Sequence, residues 1–279
     1  MAREILSPIA ILDETPSAVT RVAAPWLGVV WPALLPLRFL QAHFARDLFG
    51  LGGESLQYGE ALTGLATTTF AALVVSVWGR AVFVRAVRLG LQSGRAVGRE
   101  ALKTPLHELA NALYVTLLVE VVFYLTVWLF FPVPLVLLFS GLAFATTHRV
   151  GRPGLLRPLR EIFRLMGNQK LIVALFFTFG IAFLLAYINL FVAAHALVWL
   201  SGTLLGGDLA RWEHLLRGFP HFPVFPAEPM TLCVLLAGAT LIVEPFWLAA
   251  LSVYAHRSQL RETGEDLRLR FRQLTQPPP

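Results

Sequence analysis

Six apolar stretches alternate with loops whose lysines and arginines fall almost wholly on every second side. This pattern reads as a multi-span membrane protein with a definite orientation. Of 23 Lys and Arg, two precede the first stretch (Arg3, Arg21) and six separate the second from the third (Arg80, Arg85, Arg88, Arg95, Arg99, Lys103). Six more separate the fourth from the fifth (Arg149, Arg152, Arg157, Arg160, Arg164, Lys170), and five follow the sixth (Arg257, Arg261, Arg268, Arg270, Arg272). Only Arg46, Arg211 and Arg217 fall in the opposite loops, and Arg38 sits inside the first stretch. The positive-inside rule then puts both termini in the cytoplasm.

Composition agrees. A 279-residue chain that is 56% hydrophobic and 14% charged has too little polar surface to close a water-soluble globule of its size. The excess of base could suggest nucleic acid. These cations flank apolar spans, however, where anionic headgroups attract them, and no aromatic-basic recognition module accompanies them, so nucleic acid is not an expected partner. Cys233 is the single cysteine, which excludes an internal disulfide and reads as a small hydrophobe within a span. Arg3 is followed by Glu4, Pro8, Asp13 and Glu14 instead of an apolar run, so the start does not read as a cleavable signal. Arg-rich, Ala/Leu-rich usage favours a bacterial inner membrane.

The expected fold is an all-α integral membrane protein, one membrane domain over residues 1–279. Its spans lie at about 22–44, 61–84, 109–131, 133–147, 171–200 and 230–254, each judged against the roughly 20 apolar residues a bilayer core requires, with a cytoplasmic tail over 255–279. Pro25, Pro32 and Pro36 predict a kinked or shallow first span packed against protein. The fourth span is short, and Pro132 and Pro134 make it a hairpin partner of the third. Amphipathic interfacial helices are expected between spans four and five, with Leu155, Leu156, Leu159, Ile162, Phe163 and Met166 on one face, and in the tail at Leu260, Leu267, Phe271 and Leu274. The tail helix reads either as an anchor for the last span or as a docking helix for a cytoplasmic partner. Gln276 to Pro279 reads as a disordered end.

Gly90, Gly94 and Gly98 recur every four residues, which fits close helix approach or a flexible connection. The outer loop carries Phe219, Phe222 and Phe225, each followed by proline, with a period of three that suits polyproline II. Its stiff aromatic strip reads either as a lid dipping into the outer headgroups or as a docking strip.

Catalytic motifs are missing. His107-Glu108 opens an HExxH pattern, but Asn111 stands where the second metal ligand belongs. No serine sits in a nucleophile elbow, no Gly-x-x-x-x-Gly-Lys loop is present, and no spacing marks a metal set. No cofactor and no enzymatic activity is therefore expected. What remains are polar groups at membrane depth: Glu120, Glu244, Asn189, His195 and Arg38. A charged group there costs about 2.5 to 3.5 kcal/mol, so each must face the interior, pair or be neutral. They read either as interhelical hydrogen bonds or as an ion or proton site built on Glu120 and Glu244.

From Glu244-Pro245-Phe246-Trp247 through Tyr254, Arg257, Arg261-Glu262, Gly264 and Asp266-Leu267, the chain resembles the ending of a bacterial family of six-span proteins. That family is similar to the membrane domain fused to some glycerophosphodiester phosphodiesterases. The resemblance implies an all-helical membrane protein and a setting beside a MoxR-type ATPase and a transglutaminase-like membrane protein. It implies no phosphodiesterase activity, because the catalytic domain's motifs are absent. Arg257 and Arg261 would anchor the inner end, Glu262 and Asp266 could pair with arginines, and Pro245 would break the last helix and free a carbonyl. The expected function is a noncatalytic membrane subunit or scaffold of an envelope-associated complex, with a proton- or ion-coupled transporter as the alternative.

Overall fold

The structure is a computed structural model and describes residues 7–48, 60–126, 133–146, 156–205 and 229–264. Among these the chain is all-helical, with no strand. The helices are α1 (Pro8–Ser17), α2 (Ala24–Leu48), α3 (Glu60–Ser93), α4 (Leu106–Thr126), α5 (Val133–Thr146), α6 (Arg157–Met166), α7 (Gln169–Leu205) and α8 (Pro229–Thr263). A π-helical stretch, Ala18–Ala23, joins α1 to α2, and a 3-10 turn, Arg99–Leu102, precedes α4.

Three segments are long and apolar enough to cross a membrane: Thr67–Ser93, Gln169–Leu197 and Val234–Thr263. They mark the chain as a membrane protein. A fourth candidate is the pair Pro8–Thr20 and Ala24–Leu40, bent by 90°. The predicted kink of the first span therefore lies at its start. The π-helical stretch shifts the hydrogen-bond register there, whereas α2 runs on through Pro32 and Pro36 as one helix. The apolar part of α4 that is described, Leu106–Val119, is shorter than a span, and α5 has 14 residues, or about 21 Å of rise against a core of about 30 Å.

Helix ends follow local chemistry. Ser7 caps α1 by accepting from the Ala10 N–H at 3.1 Å, with Pro8 in the first turn. At the end of α3 the Gly94 N–H donates to the Gly90 carbonyl at 2.8 Å with φ of +67°. The regular glycines are thus no single helix face: Gly94 stops the helix in the left-handed conformation that glycine adopts without strain. Gly264, φ +68°, ends α8 likewise, and Leu260 belongs to α8. Leu267, Phe271, Leu274 and the Pro277 to Pro279 end lie outside the described residues.

The chain forms two compact units. One comprises Met1–Val30, Val77–Phe177 and Pro245–Pro279, the other Trp31–Ser76 and Thr178–Glu244. In the first, α4, α5 and α6 pack against one another. Its core includes Phe83, Val87, Val115, Leu142, Leu165 and Leu251, all fully or nearly fully buried. Gly141 of α5 lies so close to α8 that a Cβ there would stand 2.5 Å from Leu251 Cδ1 and 3.1 Å from Trp247 Nε1. α6 is strongly amphipathic, but its buried face is Pro158, Ile162 and Leu165, while Leu156 and Phe163 are exposed. The expected apolar stripe is thus rotated, because α6 packs on α4 and α5 with the face that carries Leu165. In the second unit Tyr187, Leu235 and Ala239 form a core with Phe183 and Phe191 against it.

Burial along the long helices separates protein-facing from apolar-facing surface. The apolar window of α7 is 22% buried, against 61% for α3, and Phe177, Ile181, Leu184 and Val192 are exposed. Such a surface is untenable in water and ordinary in lipid.

Candidate functional site

In the second unit, α2 and α8 bring two of the expected intramembrane polar groups together. Arg38 Nε and Nη2 donate to Glu244 Oε2 at 3.0 and 2.7 Å, and both residues are buried, at 9% and 3% exposure. Each ion answers the other's desolvation. Removing either partner alone leaves a buried charge, typically at a cost of about 3 to 5 kcal/mol.

Pro245 follows Glu244 directly in α8. Proline has no N–H, so the carbonyl four residues earlier, that of Leu241, loses its intrahelical donor. Trp31 Nε1 donates to that carbonyl at 2.9 Å. α8 therefore continues through Pro245, where a break was expected. The freed carbonyl is real, and a neighbouring helix satisfies it, as a membrane interior demands. Trp31 and Arg38 are seven residues apart, two helical turns, so α2 presents both to α8 from one face.

The first unit holds the basic residues. Arg80, expected among the loop cations, lies within α3 at 1% exposure, its guanidinium 5.7 Å from the centre of the Phe144 ring. Arg85 Nη1 and Arg88 Nη2 lie 3.8 and 3.6 Å from Glu108 Oε1. Glu108 is thus held by two arginines. One turn on, Asn111 is buried, and neither its Nδ2 nor the Oγ1 of buried Thr116 has a hydrogen-bond partner among the described residues. His256 lines a small gap with Arg88 and Ser252. Among the described residues no three His, Cys, Asp or Glu side chains could hold a metal ion.

The tail signature ties helices together. Tyr254 Oη donates to the Leu165 carbonyl at 2.6 Å, joining α8 to α6. Arg257 donates to Glu14 Oε2 through Nε at 2.8 Å and lies 2.6 Å from it through Nη2, which fastens α8 to α1. Glu262 meets Arg164 at 3.0 Å, and Glu161 joins Arg164 from the preceding turn. Arg261 is exposed.

Asn189 Nδ2 donates to the Leu185 carbonyl of its own helix at 2.8 Å, and its side chain is exposed. His195 is exposed on α7. Neither is part of the Arg38–Glu244 contact as described. Glu120 lies in α4, and its side chain is outside the described residues, as is that of Cys233 in α8. Phe219, Phe222, Phe225 and Asp266 also lie outside them. Sequence reasoning missed Trp31, Glu108 and Glu14. Only Trp31 had a signal, its two-turn spacing from Arg38 beside a partner helix that carries proline. Compared with protein-family models, curated proteins and solved structures, the chain matches none.

Proposed function

We propose that this protein is a noncatalytic integral membrane subunit or scaffold of a bacterial envelope-associated complex, with six spans and both termini in the cytoplasm. The observation that carries the reading is the Arg38–Glu244 pair: one of the two acids expected to exchange an ion is paired with an arginine, and its helix is pinned through Trp31. Such groups hold helices together. Orientation draws support from charge. Arg38, Arg46, Arg211 and Arg217 fall in the second unit, and the other 19 of the 23 Lys and Arg fall in the first. By the positive-inside rule the basic loops of the first unit face the cytoplasm in this reading.

The tail resemblance supplies the candidate partners, a MoxR-type ATPase and a transglutaminase-like membrane protein. The tail residues seen here are engaged within the chain at Tyr254, Arg257 and Glu262. Partner contact is therefore assigned to Arg261, Asp266 and the Phe219, Phe222 and Phe225 strip. Purification of N-terminally tagged protein from its native membrane in mild detergent, with mass spectrometry of stoichiometric companions, tests this. A reproducible ATPase or transglutaminase-like partner is expected. A lone protein or a homo-oligomer contradicts it.

The transporter reading is favoured by one observation, the buried polar groups of Glu108, Asn111 and Thr116 along α4, the helix that also carries Glu120. On that reading Glu120→Gln abolishes flux with normal abundance. On the scaffold reading it changes abundance or nothing.

A further inference from the structure

The connection from α3 to α4 forms a cleft of about 620 Å³, lined by Gln92, Ser93, Arg95, Arg99, Glu100 and Lys103 among others. Three of these are cations and one is an acid. The three cations are four residues apart and exposed, and the backbone that carries them is fixed at several points. Trp26 Nε1 donates to the Val97 carbonyl at 3.1 Å, Arg85 Nε donates to the Glu100 carbonyl at 3.3 Å, and Ala101 is fully buried. Gly94 turns the chain out of α3 just before the cleft.

The surroundings indicate what the cleft would take. Leu102, next to the lining residue Lys103, and Leu106, three residues after it, are 42% and 82% exposed. Cations adjacent in the chain to exposed leucines match a ligand that has an anionic head and a hydrocarbon body. We propose that this cleft binds the phosphate-bearing headgroup of an anionic phospholipid, with Arg95, Arg99 and Lys103 around the phosphate and Leu102 and Leu106 against the acyl chains. A nucleic acid would reach the same cations but would leave the leucines uncovered. Positive-inside cations in general only face a charged surface. Here they converge on a cavity large enough for a glycerophosphate group.

The proposal rests on the membrane reading above, but not on its orientation, since binding in detergent is independent of sidedness. Full-length protein in an uncharged detergent is titrated with phosphatidylglycerol or phosphatidylcholine, and bound lipid is counted by native mass spectrometry. Phosphatidylglycerol should bind at least about tenfold more tightly, from a gain on the order of fivefold per cation near the phosphate. The R95Q/R99Q/K103Q variant should bring the two lipids to near parity with an unchanged melting temperature, and R157Q/R160Q, which removes two other cations of the same unit, should leave the preference within about twofold. If the triple variant fails to fold, Arg99→Gln alone should lower the preference about fivefold. An unchanged preference in the cleft variants, or an equal loss in R157Q/R160Q, overturns the site. Competition by sn-glycerol 3-phosphate at the concentration at which phosphatidylglycerol binds would make it a site for soluble phosphate esters and overturn the lipid assignment.

Discussion

At the residue scale, the α2–α8 contact is organised by one helix's proline and another helix's tryptophan. Pro245 withholds a donor from the Leu241 carbonyl, and Trp31 supplies one at 2.9 Å. Trp31→Phe should destabilise the protein by about 1 kcal/mol in an otherwise native chain. In a Pro245→Ala background, where residue 245 regains its own N–H, that cost should fall to near zero. A double-mutant cycle on thermal unfolding in detergent reads the difference, and equal costs in both backgrounds would show that the indole acts by packing alone. The ion pair two turns along α2 makes a sharper prediction. Glu244→Gln or Arg38→Met alone should cost about 3 to 5 kcal/mol, whereas the apolar pair R38M/E244L should recover most of it, since no charge is left buried. Recovery of stability together with retained partner binding assigns the carboxylate to structure. The Arg38 to Glu244 pairing was only half legible: both were recognisable as too costly to stand alone, but 206 residues separate them and no local pattern joins them.

At the element scale, periodicity located helices well and their faces poorly. The apolar runs over 61–84, 171–200 and 230–254 correspond to α3, α7 and α8, yet each helix extends beyond its run into polar sequence. Hydropathy reports where lipid solvates a helix, while backbone hydrogen bonding carries it on until a stop such as Gly94 or Gly264. For α6 the helix and its amphipathicity were legible, but the choice between adjacent apolar residues depended on α4 and α5, which local sequence does not record. Arg80 is the same lesson for charge, buried against Phe144 where a solvated loop cation was expected. Close approach of α5 and α8 at Gly141 gives the test at this scale. Gly141→Ala should cost about 1 to 3 kcal/mol by overpacking against Leu251 and Trp247. Gly180→Ala in α7, where the added carbon meets nothing within 4 Å, should be neutral or slightly stabilising when the two melting temperatures are compared.

At the scale of the whole molecule, the separation of charge in sequence and the separation of contacts in space coincide, with 19 of 23 cations in one unit. Translocation of basic loops is resisted, so the proposed orientation puts the basic loops of that unit on the cytoplasmic side. In that orientation the proposed lipid site, Arg95, Arg99 and Lys103 on a loop braced by Trp26 and Arg85, would face the inner surface. The most direct test is sidedness. In a Cys233→Ser background, single cysteines at Ser93, Gln259 and Phe222 are treated with a membrane-impermeant maleimide in intact and in lysed cells. The arrangement proposed here predicts that Ser93 and Gln259 positions react only after lysis and the Phe222 position reacts in intact cells; reaction at Ser93 or Gln259 in intact cells, or protection at Phe222, would contradict it.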